Sequence, residues 1–139
     1  MPIAIWTAAL ETGNPTVDRQ HKKLFEMVND LHHAIIKGEA KDIMGPLLKR
    51  LANYTVEHFG VEEALMQSTK YPNYGRHKTK HVDLTKQVLD LIAQFDGGQL
   101  TLPSTLSKFL TEWLTTHIRQ EDMELIKWVK EQEAQGFKG

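Results

Sequence analysis

Apolar positions recur at alternating steps of three and four along four long stretches of the chain, the spacing that lines one face of an α-helix. The first runs from about Val17 to Lys37, with Asp18 as candidate cap, an inward stripe of His21, Leu24, Val28, Leu31 and Ile35, and a stop at Gly38. The second runs from about Asp42 to Met66, with Pro46 tolerated in its first turn and a stripe of Leu47, Leu51, Tyr54, His58, Val61 with Glu62, and Leu65; it ends before Tyr71-Pro72. The third spans about Asn73 to Phe95 through Tyr74, His77, His81, Leu84, Val88 and Leu91, and Asp96-Gly97-Gly98 closes it. The fourth starts near Pro103 and runs past Trp128, with Leu106, Leu110, Trp113, Leu114 and His117 facing inward and Gly136 at its end.

Residues 1–16 carry no such period, and Pro2, Gly13, Asn14 and Pro15 interrupt any regular element, so they predict an extended arm pinned by Trp6. Connections of roughly five to eight residues return consecutive helices as antiparallel neighbours. The expected fold is all-α, an up-down-up-down antiparallel four-helix bundle over 17–135 preceded by the arm, in a single domain over 1–139.

Composition narrows the function. With 17 basic and 18 acidic residues and a formal charge of -1, the chain offers no electrostatic footprint for nucleic acid or anionic lipid. It has no cysteine, which excludes disulfides, thiolate metal sites and cysteine nucleophiles and leaves nitrogen and oxygen as metal donors. No run approaches the roughly 18 apolar residues of a membrane span, and the N-terminus lacks the basic start of a secretory signal, so a cytoplasmic protein without membrane insertion is expected.

The stripes hold an anomaly. Five of the seven histidines, His21, His58, His77, His81 and His117, occupy inward positions where leucine would be expected. A buried imidazole left unpaired costs about 1–3 kcal/mol, so five of them call for a common purpose. Spacing alone is weak evidence, because His58 with Glu62, His77 with His81 and His117 with Glu121 are pairs that chance would supply; their distribution over all four helices is what distinguishes them. Bundle cores build metal sites this way. Five imidazoles and two carboxylates suit a transition metal such as iron and are too many for one ion; two six-coordinate ions sharing two carboxylates and one oxygen would leave about one position open.

The run His58-Phe59-Gly60-Val61-Glu62-Glu63, then Met66, Tyr71-Pro72, His77 and His81, with Trp113-Leu114-Thr115-Thr116-His117-Ile118 and Asp122, resembles the bacterial branch of the hemerythrin family. The resemblance extends from Trp6 and Asp18 through His21 to Asp122. It implies two iron ions with a bridging oxo or hydroxo group, His77, His81 and His117 on one, His21 and His58 on the other, and Glu62 and Asp122 between them. It also implies dioxygen as the ligand, bound reversibly in a pocket lined by Leu24, Phe59 and Leu114. One spacing departs from simple helical geometry. On an ideal helix Glu121 lies only about 40° from His117 and Asp122 about 140°, so geometry selects Glu121 and the resemblance selects Asp122. A single π-type turn would reconcile them, and Leu125, Ile126 and Val129 fit a stripe shifted by one residue.

Plainer roles fit the remaining polar residues. His32 and His33 read as rim or surface, Glu57 and Glu63 as solvated charges, and Tyr54, Tyr74 and Trp113 as packing residues with a hydrogen bond to a ligand histidine as the minority role. Met66 and Phe25 read as core. Three function classes follow: an oxygen-binding protein for storage, delivery or sensing; an enzyme on the same scaffold acting on peroxide or nitric oxide; and a metal-stabilised helical interaction module. The chain has no Glu-x-x-His pair of the kind used by ferritin-like oxidases, and the proposed pocket lining holds no proton-transfer group, so an oxygen-binding monomer that is not an enzyme is expected. With no signalling module attached, storage or delivery is favoured over sensing.

Overall fold

The computed structural model describes residues 3–98 and 104–135, and no β-strand occurs among them. Three helices, α1 (Pro15–Lys37), α2 (Lys41–Ser68) and α3 (Tyr74–Asp96), are followed by a fourth rod made of α4 (Ser104–His117), a π turn (Ile118–Asp122) and α5 (Met123–Ala134). α1 packs against both α2 and α4, and α3 packs on α2. The expected Pro103 start and Gly136 end of the fourth rod lie outside the described residues.

Helix α1 begins two residues before Val17, and its cap is Asn14, not Asp18. The Asn14 side chain accepts hydrogen bonds from the Thr16 and Val17 amides, both at 3.1 Å, and Pro15 takes the first helical position, where its missing N–H costs nothing. Asp18 instead ties down the arm: its carboxylate accepts from the Thr12 amide (2.8 Å), the Thr12 hydroxyl (2.7 Å) and the Gly13 amide (3.1 Å). The arm contains one 3₁₀ turn, Ala8–Leu10, and is clamped to α1 where Asn29 donates to the Ala4 carbonyl and accepts from the Ala4 amide, each at 2.8 Å. Trp6 meets Phe25 edge-on at 5.5 Å. At the other end of α1, Gly38 adopts φ 65°, ψ 38°; its own amide donates to Ile35 and that of Glu39 to Ala34, the crossed pair that ends a helix on a left-handed residue.

In α2 the proline expected in the first turn is the sixth residue, in the second turn, on an exposed face. The buried face is also rotated from the expected stripe. Met44, Leu48, Leu51, Ala52, Thr55, His58, Phe59, Glu62 and Met66 are buried, whereas Leu47, Tyr54, Val61 and Leu65 are half-buried. With α1 and α3 packed on two sides of α2, the most buried line falls between its two partners.

Apolar side chains form two clusters. The larger includes Leu24, Phe25, Val28, Leu31, Leu48, Phe59, Leu84, Val88, Phe95, Leu110 and Leu114; the smaller is Val17, Met66, Tyr71, Leu125, Ile126 and Val129. On three of the four rods the sequence passes from one cluster to the other through histidine or acid: Val17 to His21 to Leu24, Phe59 to Glu62 to Met66, and Leu114 to His117 to Asp122 to Leu125. A polar layer is thereby closed between two apolar ones.

Candidate metal centre

The polar layer consists of His21, His58, Glu62, His77, His81, His117 and Asp122, each at most 4% exposed. Their donor atoms form two overlapping groups, Glu62 with His77, His81, His117 and Asp122, and His21 with His58, Glu62 and Asp122; within each group all atoms lie within 4.8 Å of one another. Both groups contain both carboxylates, and each carboxylate divides its oxygens between them. Glu62 Oε2 faces His21 (3.3 Å) and His58 (3.1 Å), while Oε1 faces His77 (3.5 Å) and His81 (3.0 Å). Asp122 Oδ2 faces His21 (2.9 Å), while Oδ1 faces His77 (3.0 Å) and His117 (3.1 Å).

The contacts are made through Nε2 throughout, and His117 Nε2 lies 3.1 Å from Nε2 of both His77 and His81. Glu62 Oε1 and both Asp122 oxygens receive no aligned hydrogen bond despite these distances. Lone pairs aimed at a shared point, not at one another, have this geometry, and a buried polar atom left this way is unfavourable unless a cation completes it.

Two imidazoles are oriented from behind. His58 Nδ1 donates to Gln20 Oε1 at 2.6 Å and His81 Nδ1 to Glu63 Oε2 at 3.1 Å, which leaves Nε2 of each as the unprotonated donor. The expectation for Glu63 is thus corrected: half-buried, it holds His81 and pairs with Lys78 Nζ at 3.7 Å. No pattern within α1 or α2 marks Gln20 or Glu63 for these roles, because each depends on how the helices are rotated. Aromatic rings contact three of the imidazoles: Phe59 lies parallel to His81 at 3.7 Å and Trp113 to His117 at 4.4 Å, while Tyr71 meets His77 edge-on at 6.4 Å. Tyr74 is half-buried against the smaller apolar cluster, its hydroxyl accepting from Gln67 and Lys78. His32 is half-buried, its Nδ1 2.5 Å from Ser107 Oγ, and His33 is exposed.

The π turn separates the two adjacent acids. The Met123 amide donates to the Ile118 carbonyl, five residues back, and the extra residue moves Asp122 into the polar layer. Glu121, also buried, points instead to Arg76 of α3. Leu125, Ile126 and Val129 are buried beyond the turn, on the shifted stripe. Leu24, Phe59 and Leu114 are all buried in the larger apolar cluster beside the layer.

The layer's charges compensate one another. Burial opposes protonation of His21 and His77, but the adjacent Asp122 and Glu62 carboxylates outweigh it and raise both imidazoles from 6.5 to about 9. Burial likewise opposes ionisation of Glu62 and Asp122, yet the surrounding imidazoles, His58 and His21 for the first and His117 and His21 for the second, hold both well below the usual carboxylate range. In metal-free protein the raised histidines contribute stability that is complete below about pH 6.5 and is lost as pH rises through about 9. The depressed carboxylates contribute stability present above their ordinary value of 4.5 or below and lost on acidification. Calorimetry in a chelator should therefore find maximal stability near pH 5–6 and a melting temperature lower by roughly 10 °C at pH 9.5. A level profile over that range would contradict the pairing. Because metals require unprotonated Nε2, loading should release protons and strengthen over the same interval.

Fold and site together define a four-helix bundle built around a buried histidine and carboxylate metal-binding cluster. The chain belongs to the hemerythrin family: the family model described as the hemerythrin HHE cation-binding domain matches residues 12–129. It is 36% identical over 123 residues to a bacteriohemerythrin of Methylococcus capsulatus, covering 88% of this chain and 93% of the relative. A bacteriohemerythrin of Stenotrophomonas maltophilia is 32% identical over 130 residues, 94% of this chain and 84% of the relative. A crystal structure of wild-type hemerythrin superimposes with a TM-score of 0.86 at 33% identity, covering 91% of this chain and 98% of that one. No helix among the described residues is long and apolar enough to cross a membrane.

Proposed function

We propose that the chain holds two iron ions and uses them to bind dioxygen reversibly. His77, His81 and His117 would hold one ion and His21 and His58 the other, with Glu62 and Asp122 spanning both. The observation that carries this reading is the division of each carboxylate's oxygens between the two histidine groups, an arrangement suited to two cations and superfluous for one. The donor set fits iron: five imidazoles and two carboxylates, with no thiolate, are borderline ligands for a divalent transition metal. The ions, when bound, supply the electrons for oxygen capture.

The chain's own residues do the rest. Gln20 and Glu63 keep the ring protons of His58 and His81 on Nδ1, so that Nε2 faces the ions. The group with two histidines has one fewer protein donor than the group with three, so dioxygen would be taken up on that side. Leu24, Phe59 and Leu114 exclude water and offer no group for general acid or base work, which favours a carrier over an enzyme.

Reconstitution with ferrous iron under argon, admission of air, then removal of oxygen tests the proposal. Visible bands should appear with air and disappear on deoxygenation, at near two irons per chain. Sustained consumption of oxygen or peroxide would instead mark an enzyme, and a colourless, iron-free product an interaction module.

A further inference from the structure

The diiron reading needs Asp122 inside the bundle, and a regular helix would deliver Glu121 there instead. On an uninterrupted α-helix, residue 121 is about 40° from His117 and residue 122 about 140°. Within the fourth rod the shifted apolar stripe of Leu125, Ile126 and Val129 accompanies the π turn that exchanges them, but such turns are rare. The holding contact comes from α3. Arg76, one residue before His77, donates through Nε to Glu121 Oε1 at 3.3 Å and through Nη2 to Glu121 Oε2 at 3.2 Å. It also reaches Glu124 Oε2 at 3.4 Å, whose other oxygen accepts from Asn73 Nδ2 at 2.5 Å. Glu121 is 5% exposed while the Arg76 side chain is 54% exposed, so the arginine meets a buried carboxylate from the solvent side.

We propose that Arg76 is a positioning residue that locks the register of the fourth rod, holding Glu121 out of the metal site so that Asp122 occupies it. Two parallel N–H donors on one carboxylate fix its direction as well as its charge, which a lysine point charge would not do. The lock acts on both acids at once. If Glu121 lets go, the rod can relax by one residue, turning Glu121 towards His117 and Asp122 away. The pair thus selects between two carboxylates that are adjacent in sequence and similar in chemistry. The inference rests on the diiron reading for its consequence, though not for the contact itself.

Two measurements test it on the full-length chain. In metal-free protein, Arg76→Gln should speed amide hydrogen exchange of residues 118–123 at least about ten-fold, with Arg76→Lys intermediate and residues 24–34 of α1 unchanged. In iron-loaded protein, Asp122→Asn alone should lose most bound iron because Glu121 stays tied to Arg76. Adding Arg76→Gln to that variant should restore a measurable part of it by freeing Glu121. Exchange within about two-fold of the parent, or a double variant that binds no more iron than Asp122→Asn, overturns the lock. A parent chain that takes up no iron would strike the diiron reading alone, and exchange in the metal-free protein would then decide the lock by itself.

Discussion

Glu62→Gln is expected to abolish binding of both proposed metal ions while leaving the bundle folded. Glu62 is fully buried, and its two oxygens contact four imidazoles from α1, α2 and α3. Glutamine has the same shape, but one of its two terminal groups is an amide that cannot act as a ligand. Whichever way it turns, one histidine group meets an NH₂ where it now meets an oxygen, and the anionic charge shared by both is gone. Loss of a residue that merely orients a ligand costs about 10–100-fold in metal affinity, so loss of a ligand common to both ions should exceed 100-fold for each. Metal content should fall from near two per chain to well under one after gel filtration against a weak chelator. The matched control is Glu57→Gln, at an exposed position of the same helix, which should retain two. A Glu62→Gln protein with its full complement of metal would show that Glu62 is a packing residue.

Removing the metals should have the largest effect on stability. The layer between the apolar clusters contains two carboxylates and five imidazoles, and Nδ1 of His21, His77 and His117 joins the carboxylate oxygens in having no hydrogen-bond partner. The unpartnered carboxylate oxygens weigh against folding until cations complete their bonding. Structural zinc sites contribute on the order of 10 kcal/mol, and a domain of this size shifts by about 3 °C for each kcal/mol, so the loaded protein should melt roughly 20–30 °C above the chelated one. The stripped chain should remain helical at room temperature, since both apolar clusters lie outside the layer. Equal melting temperatures with and without metal would mean that the layer is satisfied by protons alone.

Much of this architecture is legible in the sequence because the apolar period of a bundle helix is set by burial, which acts on many residues at once. The four rods, the inward placement of five histidines and the shifted stripe after residue 122 all follow from that period. Features decided by one or two residues are less legible. Asn14 and Asp18 are both competent caps, and the choice went to the one that precedes Pro15. On α2 the apolar residues span a wide arc, so the period does not fix which edge lies deepest, and Met44, Leu48 and Phe59 are buried more deeply than Leu47 and Tyr54. Contacts between helices are the least legible. Gln20, Glu63 and Arg76 are polar residues on outward or flanking positions of their own helices, and their partners are set by rotations and levels that no single stretch of sequence encodes. The same holds for Glu121 and Asp122, where helix geometry alone points to Glu121 while the structure places Asp122 in the polar layer and Glu121 against a contact from α3.

X-ray diffraction from crystals of the iron-loaded protein, collected on either side of the iron absorption edge, locates the metal without reference to any spectrum. The account predicts two anomalous peaks per chain, one against Nε2 of His77, His81 and His117 and one against Nε2 of His21 and His58, with Glu62 and Asp122 between them. A single peak, or iron found only outside the polar layer, would contradict it.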